Sequence, residues 1–224
     1  MLKQINVKCI SIPNGTILPV RQVSGLAEPK FGLGGVLDSE GQFVDKSATL
    51  NGWCTWGGKY YSDMEADYID EKVIYVGLVI NHWGHFLVDS LGRFWYTVSK
   101  NYAGEPIVIV SNSLNLLQTI KDFLMLLGVL DKVIFLTPNS RPLKCREVVI
   151  PDIAYVPGKY FSEEFRRPFD VVRNNAIRKN DLMCPEEYVY FSRQHLKDAK
   201  YKEFGEAELE NRFRHINFAI YYPE

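Results

Sequence analysis

Residues 81 to 95 read NHWGHFLVDSLGRFW and hold two of the chain's four histidines, His82 and His85, together with Asp89 and Arg93. On a helix advancing by about 100° per residue, these four polar side chains share one flank, within about 80° of each other. Trp83, Phe86, Leu87, Leu91, Phe94, Trp95 and Val98 fill a broad apolar arc on the other side. A stripe at i, i+3, i+7 and i+11 could act as a base assembly. Asp89 lies one turn beyond His85 and could orient its imidazole, so that either His85 or Asp89 takes a proton from a hydroxyl. Arg93 could hold the carboxylate in place or bind substrate. The plainer reading is a solvated helix face with an Asp89–Arg93 pair worth about a few tenths of a kcal/mol. Zinc on His82, His85 and Asp89 is a third reading, although the spacing lacks the i,i+4 histidines of the HExxH motif.

The stripe needs an element to place it. KVIYVGLVI, residues 72–80, is a continuous apolar run, as expected of a strand buried on both faces. Asn81 is then the expected N-cap of a helix over 82–100. His82 and His85 would sit in its first turn, at the carboxyl edge of a parallel sheet. Ligands of open α/β sheets bind at that edge, and a helix N-terminus favours negative charge. The alternation continues with strands at 106–111, 132–136 and 147–151 and a helix at 113–128. That pattern predicts an α/β fold built on a Rossmann-like parallel sheet.

Before it, residues 1–71 read as a β-rich segment in which GGVLDSEGQFVD forms a hairpin around Ser39, Glu40 and Gly41. After it, residues 162–180 read as a helix capped by Ser162, with Pro168 opposing one straight helix. EEYVYFSR (186–193), GEAELENRFRH (205–215) and FAIYYPE (218–224) read as strand, helix and strand. The expected division is 1–71, an α/β domain over 72–160, a linker helix over 161–185, and the beginning of a second Rossmann-like domain over 186–224.

Composition narrows the class. The chain has 224 residues, is 46% hydrophobic and 13% aromatic, and carries a net charge of −1. That is enough apolar material for a core, and too little basic charge for nucleic acid as a partner. Cys9, Cys54, Cys145 and Cys184 are far apart and have no metal-like spacing, which suits reduced thiols. With no signal-like start and no apolar run near the ~20 residues a bilayer requires, the expected location is cytoplasmic, with peripheral membrane association left open.

NHWGHFLVDSLGRFWY resembles the His-aromatic-Leu-x-Asp-x-Leu-x-Arg-aromatic-Trp signature of glycosyltransferase family 61. That family includes capsular polysaccharide biosynthesis enzymes and eukaryotic xylosyl- and N-acetylglucosaminyltransferases. GGVLDSEGQFVD is similar to the hairpin upstream of the signature. YVYFSRQHLKDAKYKEFGEAELENRF is similar to the family's Ser-Arg segment and the Asn-Glu pair that opens a helix. The resemblance covers roughly residues 20 to 224. It implies a GT-B-like fold of two Rossmann-like domains with the active site in the cleft, and inverting transfer from a nucleotide sugar to a glycan or polysaccharide hydroxyl.

On that resemblance, His85 and Asp89 are the catalytic pair, while Asn81, His82 and Arg93 face the acceptor. Ser192, Arg193 and Glu206 belong to the donor side, with Arg193 on the diphosphate because its planar fork suits phosphate oxygens. The resemblance requires no metal or other cofactor. The departures are Gly205 in place of the asparagine, and an end soon after the first βαβ unit of the second domain. The expectation is therefore a donor domain left incomplete, completed by a partner chain or second copy. The alternative is a non-catalytic glycan-binding remnant or one half of a split transferase.

Other features carry plainer expectations. His195 reads as an exposed loop histidine and His215 as a partner of a helix C-terminus. GLGG (32–35) reads as turn chemistry, because no helix follows it. Trp53 and Trp56 could stack on sugars or pack in a hairpin. SDMEADYIDE (62–71) reads as a solvated acidic loop.

Overall fold

The computed structural model describes residues 3–22, 29–49, 54–180, 188–195 and 205–222. Trp53, Cys184 and the end of the expected linker lie outside the described residues. The chain divides into two compact units, Met1–Ala176 and Ile177–Glu224.

The first unit begins with β1 (Lys3–Gln4), β2 (Cys9–Pro13), β3 (Thr16–Arg21) and β4 (Leu33–Leu37), followed by the long β5 (Asp67–Leu78). A helical stretch, α1 (residues 83–98), leads to β6 (Ile107–Val110), α2 (Gln118–Leu127), β7 (Val133–Leu136) and β8 (Leu143–Pro151). The short β9 (Tyr155–Val156) and β10 (Tyr160–Phe161) precede α3 (Arg167–Asn180).

Seven strands form one sheet in the order β4-β3-β8-β5-β6-β7, with β2 also on β8. Strands β8, β5, β6 and β7 are mutually parallel, as the alternation predicts. β2, β3 and β4 extend the same sheet in antiparallel fashion, so the expected β-rich segment is continuous with the α/β domain. The hairpin at 36–44 forms as expected: Asp38 Oδ1 accepts from the N–H groups of Glu40 and Gln42.

The apolar run of β5 is explained by cover on both faces. Ile74 and Val76 face one core with Ile107, Ile109, Phe86, Phe94 and Leu124. Val73 and Tyr75 face the other with Ile17, Val36, Trp56, Val108 and Val148. β5 starts five residues earlier than the apolar run, so Asp67 and Asp70 of the expected acidic loop are strand residues, paired with Arg141 and Arg146. GLGG also enters a strand, with Gly34 and Gly35 in β4.

The expected regular helix over 82–100 is replaced by three pitches. Trp83–His85 makes one α-turn, Phe86–Ser90 a wider π-turn closed by the Leu91 N–H on the Phe86 carbonyl, and Leu91–Val98 a tight 3₁₀ stretch. Gly92 allows this stretch to press on the chain leaving β8: its carbonyl accepts from Ala154 N–H at 2.7 Å, and a Cβ there would lie 2.7 Å from Ile153. α2 begins at Gln118 rather than 113, because the side chain of Asn81 takes the Leu117 N–H. Ser162 caps a 3₁₀ turn over Glu163–Arg166, and Pro168 falls in the first turn of α3, where a missing N–H costs little.

The second unit contains β11 (Val189–Phe191), α4 (Glu206–His215) and β12 (Ala219–Tyr221). β11 and β12 pair in parallel, a single βαβ unit as the sequence predicts. Among the described residues no helix is long and apolar enough to cross a membrane.

Candidate functional site

Strand order and chain order disagree at β5. β6 and β7 follow on one side, while β8 returns on the other. Such a reversal opens a crevice at the carboxyl ends of the strands, where α/β proteins bind ligands. His82, His85 and Asp89 sit at the carboxyl end of β5.

His85 and Asp89 meet as the spacing predicts, with His85 Nδ1 2.8 Å from Asp89 Oδ2. An ionised Asp89 accepts from Nδ1–H, which leaves Nε2 as the ring nitrogen that can take a proton. The side chain of His85 is 33% exposed and that of Asp89 12%, so the imidazole reaches solvent while its carboxylate is shielded. These two atoms face each other instead of converging on a common point, and among the described residues no group of three or more His, Cys, Asp or Glu forms a metal-ligand set.

His82 is exposed and caps the helix itself, its Nδ1 accepting from His85 N–H at 3.5 Å. The expected cap, Asn81, works elsewhere: Oδ1 accepts from Leu117 N–H at 2.7 Å and Nδ2 donates to Ser113 Oγ at 3.3 Å. It ties the end of β5 to the loop after β6. Ser90 Oγ accepts from Ile80 N–H at 3.0 Å and fixes the same strand end from below. Cys54 is buried near Asp89; burial, with that carboxylate adding, pushes its thiol up to about 12. It is therefore a neutral side chain and no thiolate nucleophile.

Arg93 does not belong to the stripe. The change of pitch turns it inward, where it is 3% exposed. Its Nε donates to Pro151 O at 3.0 Å, and its Nη2 to Lys46 O at 2.7 Å and Ala48 O at 3.1 Å. Burial lowers its pKa, opposed by Tyr75, Tyr160 and Asp152. The β5–β8 pairing ends at Ile74 and Val149, and the guanidinium ties the end of β8 to the turn at residues 46–48. Arg93 thus braces the end of β8 against residues 46–48 and does not share the flank of His82, His85 and Asp89. Its neighbours signalled this: it stands between Gly92 and Phe94–Trp95, and Gly77 interrupts the apolar strand opposite it.

The donor-side residues also turn inward. Ser192 is 1% exposed and Glu206 6%. Glu206 Oε1 accepts from Tyr190 OH at 2.7 Å, Arg193 N–H at 2.9 Å and Ser192 Oγ at 3.2 Å. Glu210 Oε1 takes the Ser192 hydroxyl at 2.5 Å, and its Oε2 meets Arg214 and Tyr222. The Arg193 N–H, then the Tyr190 hydroxyl, hold the Glu206 carboxyl below its usual range. Ser192 does most to hold Glu210 down. Ser192 and Glu206 therefore fasten β11 to α4, which is a structural task, while Arg193 is exposed at the strand end. Glu210 was not anticipated from the sequence; its place one helical turn after Glu206 was the available signal.

The remaining residues separate clearly. Trp56 is fully buried, and its Nε1 has no hydrogen-bond partner among the described residues, so it offers no sugar platform. His195 is exposed beside Tyr222, and His215 donates to the Asn211 carbonyl within the last turn of α4. No protein-family model, curated protein or solved structure matches the chain.

Proposed function

We propose that this chain is a nucleotide-sugar-dependent glycosyltransferase of the GT-B plan, acting in capsule or cell-surface polysaccharide assembly. The observation that carries this reading is the His85–Asp89 pair, 2.8 Å apart, at the carboxyl end of the strand where the sheet order reverses. In the proposed reaction His85 Nε2 takes the proton of an acceptor hydroxyl. The oxygen attacks the anomeric carbon of the donor sugar, the bond to the nucleoside diphosphate breaks on the opposite face, and configuration inverts. Asp89 orients the ring and balances the imidazolium that forms. Arg193, exposed at the end of β11, is the second unit's candidate for binding a diphosphate, which a guanidinium suits.

The test is release of nucleoside diphosphate from a panel of sugar nucleotides, with and without oligosaccharide acceptors. Acceptor-dependent release is expected. A folded protein that turns over no sugar nucleotide would overturn the reading, and so would full turnover in both His85→Ala and Asp89→Asn.

A further inference from the structure

Beyond the carboxyl end of β8 the first unit holds a cavity of about 380 Å³. Its lining includes Asp45, Lys46, Arg93, Asp152, Ile153 and Tyr160. The volume falls within the range of small-molecule sites. It opens at the carboxyl end of a strand of the parallel sheet, since Asp152 and Ile153 directly follow β8.

The charges of the lining cancel: two cations, Lys46 and Arg93, stand with two carboxylates, Asp45 and Asp152. A free phosphate would meet both carboxylates, and a cation would meet the guanidinium. Asp152 is already ordered, with Lys46 Nζ at 2.8 Å on one oxygen and Lys8 N–H at 3.0 Å on the other. Each carboxylate oxygen has a second lone pair to offer. The half-buried Tyr160 lies in the field of Arg93 and Asp152, and among the described residues its hydroxyl has no hydrogen-bond partner. Ile153 adds an apolar wall. Charged acceptors, charged donors and one hydroxyl around an apolar wall suit a ligand whose groups each both donate and accept.

We infer that this cavity binds a neutral pyranose, with Asp45 and Asp152 accepting from its hydroxyls and Lys46 and Tyr160 bonding to others. The inference rests on the glycosyltransferase reading only in identifying this sugar as part of the acceptor; the binding itself requires no donor.

Saturation-transfer NMR on the purified full chain tests it, with glucose, galactose, xylose and N-acetylglucosamine as probes and inorganic phosphate as the anionic control. At least one neutral sugar is expected to bind, unaffected by phosphate, and about tenfold more weakly in Tyr160→Phe and in Asp45→Asn, the loss expected for one hydrogen bond to a charged or polar group. Asp45 is exposed, so its variant should fold normally. No binding of any of the four sugars, competition by phosphate, or equal binding by both variants overturns the inference. His85→Ala should retain sugar binding. If it does while no transfer is ever detected, the transferase reading fails and the sugar site stands.

Discussion

The guanidinium of Arg93 occupies the space that a side chain on Gly77 would need: a Cβ at residue 77 would lie 2.8 Å from Arg93 Nη1. Gly77 has φ of +88°, a conformation that side chains disfavour, and it sits where β5 shifts register against β6. The irregular strand and the buried arginine are thus one device. Gly77→Ala should cost about 1–3 kcal/mol from backbone strain and contact. Arg93→Met should cost about 2–4 kcal/mol, because three backbone carbonyls lose their donor. Arg93→Lys should recover little of this, since one ammonium cannot reproduce the fork. In urea unfolding the double variant should be less destabilised than the two single losses added together, because they share one contact. Strict additivity would show that the two residues do not interact.

His85 and Asp89 make a different kind of pair. Neither belongs to a core cluster, and Asn keeps the size of the shielded Asp89, so His85→Ala and Asp89→Asn should unfold at nearly the wild-type denaturant concentration. Turnover should fall by about 10²–10⁴-fold in His85→Ala, the usual contribution of a general base. Asp89→Asn should lower kcat with little change in the KM for acceptor, because it acts through the imidazole. A rise in KM at constant kcat would instead place Asp89 in acceptor binding.

Asn81 uses both ends of its amide, on Leu117 and on Ser113. Asn81→Ala leaves the Leu117 N–H without its partner at the start of α2. The expected cost is about 1 kcal/mol, read as faster amide exchange at Leu117 than at Leu124. Unchanged exchange at Leu117 would mean that water replaces the side chain without loss.

The sequence made the parallel core legible because strands buried on both faces have no polar residue to interrupt them. It did not show where β5 begins, because Asp67 and Asp70 balance their charge against arginines that β8 and the segment before it bring alongside. The His85–Asp89 contact was legible because it is local. Arg93 was misplaced because a wheel with one fixed pitch cannot follow a π-turn into a 3₁₀ stretch. The cavity could not be read at all: its walls come from residues 45–46, 93, 152–153 and 160, far apart in the chain. Ser192 and Glu206 were expected on the donor side by resemblance, but their contact was not foreseen, because burial, which spacing does not encode, turns both inward.

That internal network makes the second unit sensitive to acid. Glu206 and Glu210 both titrate below their ordinary value of 4.5 in the folded chain, held down first by the Arg193 N–H and by the Ser192 hydroxyl respectively. A carboxyl with a depressed folded pKa adds stability that is complete above its unfolded value and is lost as pH falls through the folded one. The contribution should therefore be intact at neutral pH and disappear progressively below about pH 4.5. Amide exchange at Ser192, which donates to Tyr221 O, and at Arg193 reports it directly. After correction for intrinsic exchange, protection at both should fall on acidification while that of Ile109 in the first unit persists. Glu206→Gln keeps an acceptor for the three donors but cannot ionise, so its protection should be lower at neutral pH and vary less with pH. A Glu206→Gln profile that falls as steeply as the wild type would assign the acid sensitivity to groups other than Glu206.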